Sequence, residues 1–212
     1  MRLLTTQDQQ ALDKYLINRG IPLPILMENA GLQLALQTAS RFYELAKFDS
    51  IDLLAGPGMN GGDLYVAARH LQARGIPVHI YEQTESVSDT TIRTIRQTAL
   101  DIPISPWSTF EPHANLIIDG ILGTGFDSKR PLSLELQAIL SKLASARTQG
   151  AYIIACDLPS GIDATTGFVS NFTVPCDETV SFIAPKVGMF SSPAIQNIGE
   201  LIVSNISISS ET

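Results

Sequence analysis

Short apolar runs alternate with helical segments at βαβ spacing, and no other feature constrains this chain as tightly. SIDLLAG (50–56), IPVHIYE (76–82), NLIIDG (115–120), AYIIACD (151–157), ETVSFIA (178–184) and ELIVSNI (200–206) read as strands, with a short extended piece at 102–104. Helical spacing falls between them, in DLYVAARHLQARG (63–75), VSDTTIRTIRQTAL (87–100) and 133–147. Near-continuous apolar strands separated by helices require a mostly parallel sheet covered on both faces. The expected fold is therefore doubly wound α/β, as one domain over 1–212.

Two helices precede the first strand. Thr5 and Thr6 can cap the first, and Thr6 with Gln9 has capping-box spacing. Leu12, Tyr15 and Leu16 form its apolar stripe, and Arg19-Gly20 ends it. The second starts near Pro24, where proline suits a first turn, and runs through MENAGLQLALQTASRFYEL.

Charge and cysteine content narrow the function classes. The formal net charge is −7, with 14 lysines and arginines, and no basic run offsets it. Binding to a nucleic-acid backbone, which draws its affinity from clustered cations, is not expected. No apolar stretch reaches the 18–20 residues of a membrane span, and MRLLTTQDQQALDKYL lacks the pattern of a signal peptide. Cys156 and Cys176 are read as free thiols in a reducing cytoplasm.

In open parallel sheets ligands bind beyond the carboxyl ends of the strands, near a reversal of strand order. Three loops leaving such ends carry glycine with acidic or hydroxyl residues, and they should gather at one edge. In GPGMNGGD, Gly56, Gly58, Gly61 and Gly62 leave backbone N–H groups open ahead of a helix. That describes a phosphate cradle or a tight strand-to-helix turn. It is neither the GxGxxG fingerprint in its usual register nor a P-loop, whose lysine is missing. In DGILGTGFDSKRP, Asp119 ends a strand and Lys129 and Arg130 close the loop, as anion ligands or as a solvated pair. In DLPSGIDATTG, Asp157 sits at a strand tip with Ser160 beyond it, at a site or simply capping a turn. His70 is placed on a solvated helix face, His79 in a packed strand and His113 in a loop, while Trp107 is a lid or an anchor.

Taken in order, MENAG (27–31), GPGMNGGD (56–63), VAARHL (66–71), DGILGTGF (119–126), DLPSGIDATTG (157–167), APKVG (184–188) and IGEL (198–201) resemble the YjeF N-terminal domain family of NAD(P)H-hydrate epimerases. The resemblance implies a Rossmann-like three-layer αβα sandwich, a homodimer, and interconversion of the R and S forms of hydrated NADH and NADPH, without the dehydratase domain some relatives carry. It implies a potassium ion held by Asn60, Asp119 and Ser160, an oxygen set suited to a hard cation. It also implies substrate contacts at Met59, Asn60, Gly61, Gly62, Asp63, Gly123, Thr124, Gly125, Phe126, Asp127, Ser128, Lys129 and Asp157. Two residues depart from the family pattern, Met59 for an asparagine and Leu64 for a glycine, which bears on affinity or substrate range. A non-catalytic module of the same family, or an enzyme for another nucleotide, is the rival reading. The implied reaction needs a group that protonates a leaving hydroxyl and deprotonates an incoming water. With Asp119 assigned to the ion and Asp63 to a helix cap, Asp157 is the expected acid–base.

Overall fold

The computed structural model describes residues 2–83, 89–113 and 115–206. Their sheet has seven strands: β1 (Ile51–Ala55), β2 (Val78–Glu82), β3 (Ile104–Pro106), β4 (Leu116–Gly120), β5 (Tyr152–Cys156), β6 (Glu178–Phe182) and β7 (Glu200–Ser204). All neighbours pair in parallel, in the order β3-β2-β1-β4-β5-β6-β7. The chain steps outward from β1 to β3, then crosses back to β4, so the order reverses between β1 and β4.

Alternation along the strands builds the layers, because successive side chains point to opposite faces. Leu53, Ile80, Ile118, Ile154 and Val180 pack into one buried cluster with Leu34 of α2 (Leu23–Leu45) and Tyr65, Val66 and Leu71 of α3 (Met59–Gln72). Ile92 and Ile95 of α4 (Thr90–Gln97) join the same side. On the opposite face Leu54, Ile117 and Ile153 meet Ile139, Leu140 and Leu143 of α5 (Leu134–Thr148). Trp107 is buried in that second cluster and its Nε1 donates to the Tyr81 carbonyl at 3.1 Å, so it is an anchor. A smaller cluster forms where Leu158, Ile162 and Ala164 lie under α6 (Ser192–Ile198). The fold is thus a three-layer α/β sandwich. Among the described residues no helix is long and apolar enough to cross a membrane.

Several elements differ from the sequence expectation. The cap of α1 (Thr6–Asn18) is Thr5, whose capping-box partner is Asp8: Asp8 N–H donates to Thr5 Oγ1 at 3.1 Å, and Thr5 N–H donates to Asp8 Oδ2 at 2.9 Å. The third helix begins at Met59, so most of GPGMNGGD is a first helical turn. Its glycines report close packing. A Cβ on Gly61 would lie 1.8 Å from the Gly56 carbonyl oxygen, and one on Gly62 would lie 1.9 Å from Met27 Cε. The expected 102–104 strand sits at 104–106, α6 was not foreseen, and α4 spans 90–97, with residues 87–88 of the expected helix outside the described set.

Candidate active site

The loops after β1, β4 and β5 leave three adjacent strands in one direction, so they meet at the carboxyl edge, beside the reversal of strand order. There they border a cavity of about 690 Å³. Pro57 to Asn60 and Asp63 form one wall, Ile121 to Phe126 a second, and Asp157 and Phe182 the floor. Two walls come from elements that the sequence did not point to: Gln9, Gln10, Asp13, Lys14 and Ile17 of α1, and Leu23, Leu26, Met27 and Ala30 of α2.

Of the thirteen residues expected to contact substrate, eight line this cavity: Met59, Asn60, Asp63, Gly123, Thr124, Gly125, Phe126 and Asp157. Gly61 and Gly62 are buried in helix packing. Asp127 accepts from the Lys129 N–H at 3.0 Å and pairs with Arg130 at 3.4 Å, while Ser128 Oγ donates to Asp163 at 2.9 Å. Lys129 and Arg130 are exposed, off the cavity wall. Leu64 is buried over β4, where a Cβ on Gly120 would lie 2.4 Å from Leu64 Cδ1. Met59, 45% exposed, lies on the cavity rim.

Asn60, Asp119 and Ser160 do come together. Ser160 Oγ donates to Asp119 Oδ1 at 2.6 Å and its N–H to Oδ2 at 2.9 Å, and Ile121 N–H donates to Oδ1 at 3.2 Å. Asn60 Nδ2 donates to the carbonyls of Leu122 and Cys156, at 3.0 and 2.9 Å, which leaves its Oδ1 as the atom for a ligand. Asp119 is 1% exposed, and burial raises its carboxyl above the usual range, opposed by the Ser160 hydrogen bonds. No salt bridge to it exists among the described residues. A buried carboxylate ringed by amide, hydroxyl and carbonyl oxygens fits a hard monovalent cation. The described residues contain no cluster of three or more His, Cys, Asp or Glu placed to hold a metal ion, so a softer transition metal has no ligand set here.

Asp157 occupies the tip of β5 with a left-handed backbone, φ +63°, and Ile183, at the matching tip of β6, has φ +68°. Three donors converge on Asp157 Oδ1: Lys186 Nζ at 2.5 Å, Ser181 Oγ at 3.1 Å and Phe182 N–H at 3.1 Å. Oδ2 has no protein donor among the described residues. Asp63 is not a helix cap. It lies beyond the first turn of α3, whose N-cap is Gly58, and among the described residues its carboxyl accepts no hydrogen bond. Burial raises Asp63 well above the carboxylate range, with Asp157 and then Asp13 adding to it. Asp13 is raised as well, by burial first, despite the bond its Oδ1 accepts from Gln9 at 2.9 Å.

None of the three histidines lines the cavity. His70 is tied to Glu28 at 2.8 Å instead of standing free in solvent. His79 bonds Ser105 Oγ at 2.8 Å and stacks on Tyr81, and His113 pairs with Asp52 at 3.1 Å. Both cysteines are free, buried, and pushed up by that burial, which makes them inert packing thiols.

Sequence reasoning missed Asp13 and Lys186. Asp13 sits four residues from Gln9 on one helix face, a polar pair whose inward direction no local pattern reveals. Lys186 did leave a signal: it is a lone cation inside the apolar run FIAPKVGMF.

The family profile described as YjeF-related protein N-terminus matches residues 24–188. The chain is 34% identical over 192 residues to a protein of Rhodopirellula baltica named NAD(P)H-hydrate epimerase, covering 87% of this chain and 75% of that protein. It is 31% identical over 209 residues to the bifunctional NAD(P)H-hydrate repair enzyme Nnr of Thermanaerovibrio acidaminovorans, covering 92% of this chain and 39% of that protein. The chain thus spans about two fifths of the length of such bifunctional relatives. The crystal structure of a yeast protein, ynu0, shares the fold at a TM-score of 0.79, with 23% identity over 97% of this chain and 88% of that one.

Proposed function

The chain belongs to the family of YjeF-related protein N-termini, and on that premise we propose that it is an NAD(P)H-hydrate epimerase, an isomerase that interconverts the R and S forms of hydrated NADH and NADPH. The observation that carries the reading is the carboxyl pair on the cavity: Asp157, paired by its Oδ1 and without a donor on Oδ2 among the described residues, with Asp63 on the same cavity and raised by burial.

The carbon to be inverted bears a hydroxyl next to a ring nitrogen, so it is a hemiaminal. Breaking its C–O bond needs a proton on the leaving oxygen, and the nitrogen lone pair then stabilises a planar iminium-like carbon. Water returns to either face, forming the C–O bond again and giving up one proton. No electron is transferred, and one proton leaves and comes back. Asp63 and Asp157 face the same cavity, and between them they hold that single proton. Asp157 Oδ2 is the atom that exchanges it with the substrate oxygen, and such positioned transfer typically contributes about 10²–10⁴-fold. The apolar side chains of Ile17, Leu26, Met27 and Phe182 limit bulk water around the planar carbon.

The same reading places potassium at Asn60, Asp119 and Ser160. Held by those three residues, the ion would offset the buried Asp119 charge and would attract the substrate's phosphates to the loop over Gly123–Phe126. A homodimer, which the family resemblance implies, and a reducing cytoplasmic location, which the two free cysteines suit, also belong to it.

The test is direct. The purified protein is mixed with the R form of hydrated NADH, and appearance of the S form is followed by chromatography against the spontaneous rate. Asp157→Asn should bind substrate close to wild type and epimerise at least about a hundredfold more slowly. Wild-type protein that leaves the spontaneous rate unchanged refutes the reading, and a near-normal Asp157→Asn removes Asp157 from the mechanism.

A further inference from the structure

The proton chemistry above leaves Lys186 without a task, although its burial is costly. The side chain is fully buried, and removing an ammonium from water costs several kcal/mol unless it is paired and hydrogen-bonded. Its Nζ contacts Asp157 Oδ1 at 2.5 Å, Ser181 Oγ at 3.1 Å, and the carbonyls of Phe182 and Ala184 at 3.1 Å each. An ammonium has three protons, so these four acceptors consume its whole donor capacity. Lys186 does not line the cavity, and no donor is left over for a substrate phosphate.

Its main chain is fixed too. Leu4 N–H donates to the Pro185 carbonyl and Val187 N–H to the Leu4 carbonyl, both at 2.9 Å, so the lysine stem enters from a backbone clamped to the start of the chain. Ser181 completes the arrangement, accepting from Lys186 Nζ while donating to Asp157 Oδ1. Three carboxyls line the cavity, and the titratable groups that interact with Asp157 come from several sides, Asp63 of α3, Asp13 of α1 and the Cys156 thiol of β5, with Lys14 of α1 also on the cavity wall. Among the described residues only Asp157 of the three carboxyls has a cation in an ion pair.

We infer that Lys186 is a positioning residue that makes Asp157, and not Asp63 or Asp13, the charged base of the cavity, with Oδ1 clamped and Oδ2 left for the substrate oxygen. The inference rests on the epimerase reading. Its chemistry is asymmetric placement of one cation beside one of several carboxyls, which favours the charged form of that one. Asp63, next to a fixed negative charge and without a cation, is then the carboxyl on which the shared proton rests until Asp157 Oδ2 delivers it to the leaving oxygen. The raised position of Asp63, to which Asp157 contributes, agrees with this division.

Four forms of the protein decide it, namely wild type, Asp157→Asn, Lys186→Met and the double variant, each assayed with hydrated NADH between pH 5 and 9. Lys186→Met should lower kcat about tenfold to a hundredfold with KM within about twofold, the size of a misplaced catalytic group. Its pH profile should shift as well, because the cavity carboxyls lose the one cation paired among them. The double variant should be no slower than Asp157→Asn alone, since the lysine acts only through that carboxylate. A normal Asp157→Asn loss beside a Lys186→Met with wild-type kcat and an unmoved profile overturns the inference alone, and so does a double variant whose losses multiply. A fully active Asp157→Asn overturns both the inference and the role of Asp157. If Lys186→Met does not fold, Ser181→Ala decides instead: a several-fold drop in kcat at constant KM supports the clamp, and an unchanged kcat overturns it.

Discussion

Replacing Asp63 by asparagine should make the protein more stable at neutral pH, which few substitutions in a buried site do. Asp63 is 8% exposed, accepts no hydrogen bond among the described residues, and faces Asp157 and Asp13, with Lys186 already paired to Asp157. Its folded value is raised above the ordinary 3.8. For such a group stability is fully present below about 3.8 and is lost as pH rises through the raised folded value. Within that window the folded state holds a proton that the unfolded chain has lost, and above it the folded state carries an unpaired buried charge. A buried polar group without a partner costs about 1–3 kcal/mol, and more when charged. For a chain of this length 1 kcal/mol corresponds to roughly 2–4 °C in Tm. Asp63→Asn keeps the shape without the ionisation, so at pH 8 its Tm should exceed wild type by several degrees. The gap should close as pH falls toward 4. Scanning fluorimetry at fixed potassium concentration, in half-unit steps, measures it. A variant that is equally destabilised at every pH would show that the Asp63 carboxylate is paired and needed in its charged form, and the reasoning would be wrong. The same variant should epimerise more slowly while being more stable.

Met59→Asn places an amide on the cavity rim, where the added hydrogen bond is worth about 0.5–1.5 kcal/mol, so substrate should bind several-fold tighter by calorimetry. Unchanged affinity would mean that the half-exposed Met59 side chain never meets the ligand. Gly61→Ala puts a Cβ 1.8 Å from a backbone carbonyl that cannot swing away, so a loss of at least about 1–3 kcal/mol is expected in denaturant melts. Potassium chloride should raise Tm relative to choline chloride at equal ionic strength, and Asp119→Asn should abolish the difference. Equal melting in both salts would leave the Asp119 cluster without an ion.

Sequence pattern located the strands to within two residues, because a strand buried on both faces has to be apolar along its whole length. Ile51–Ala55 and Leu116–Gly120 could hardly be read otherwise. It failed at Met59, where Gly61 and Gly62 suggested a loop. Their absent side chains instead let the first turn of α3 press against the β1 tip and Met27, a tertiary demand that overrides helix propensity. β3 slid two residues because its partner is chosen by the neighbouring strand: Ile80 N–H bonds the Pro103 carbonyl and Ile80 aligns with Ile104. At the site, residues on the three loops could be named because glycine and aspartate mark loop ends. The α1 wall could not, since it is brought in from distant sequence, and Lys186 stood out only as a lone cation in an apolar run, with nothing local to tie it to Asp157. The assignment of Asp63 to a helix cap failed for the same reason, being inferred from a helix start four residues too late.

The left-handed tips at Asp157 and Ile183 also bear on how copies of this gene would diverge. A non-glycine residue at positive φ typically costs about 1–2 kcal/mol, less for aspartate or asparagine than for a β-branched side chain. While turnover is under selection, the carboxylate at position 157 is retained despite that cost. Once a duplicate is kept only for binding or scaffolding, glycine at 157 fits the same backbone without strain and releases the base. Lys186, 29 residues further on, would then be a buried cation with no anion, and an apolar replacement would follow quickly. Loss of the aspartate and the lysine together would therefore mark a paralogue that has left catalysis, and it would be recognisable from a bare sequence before any assay.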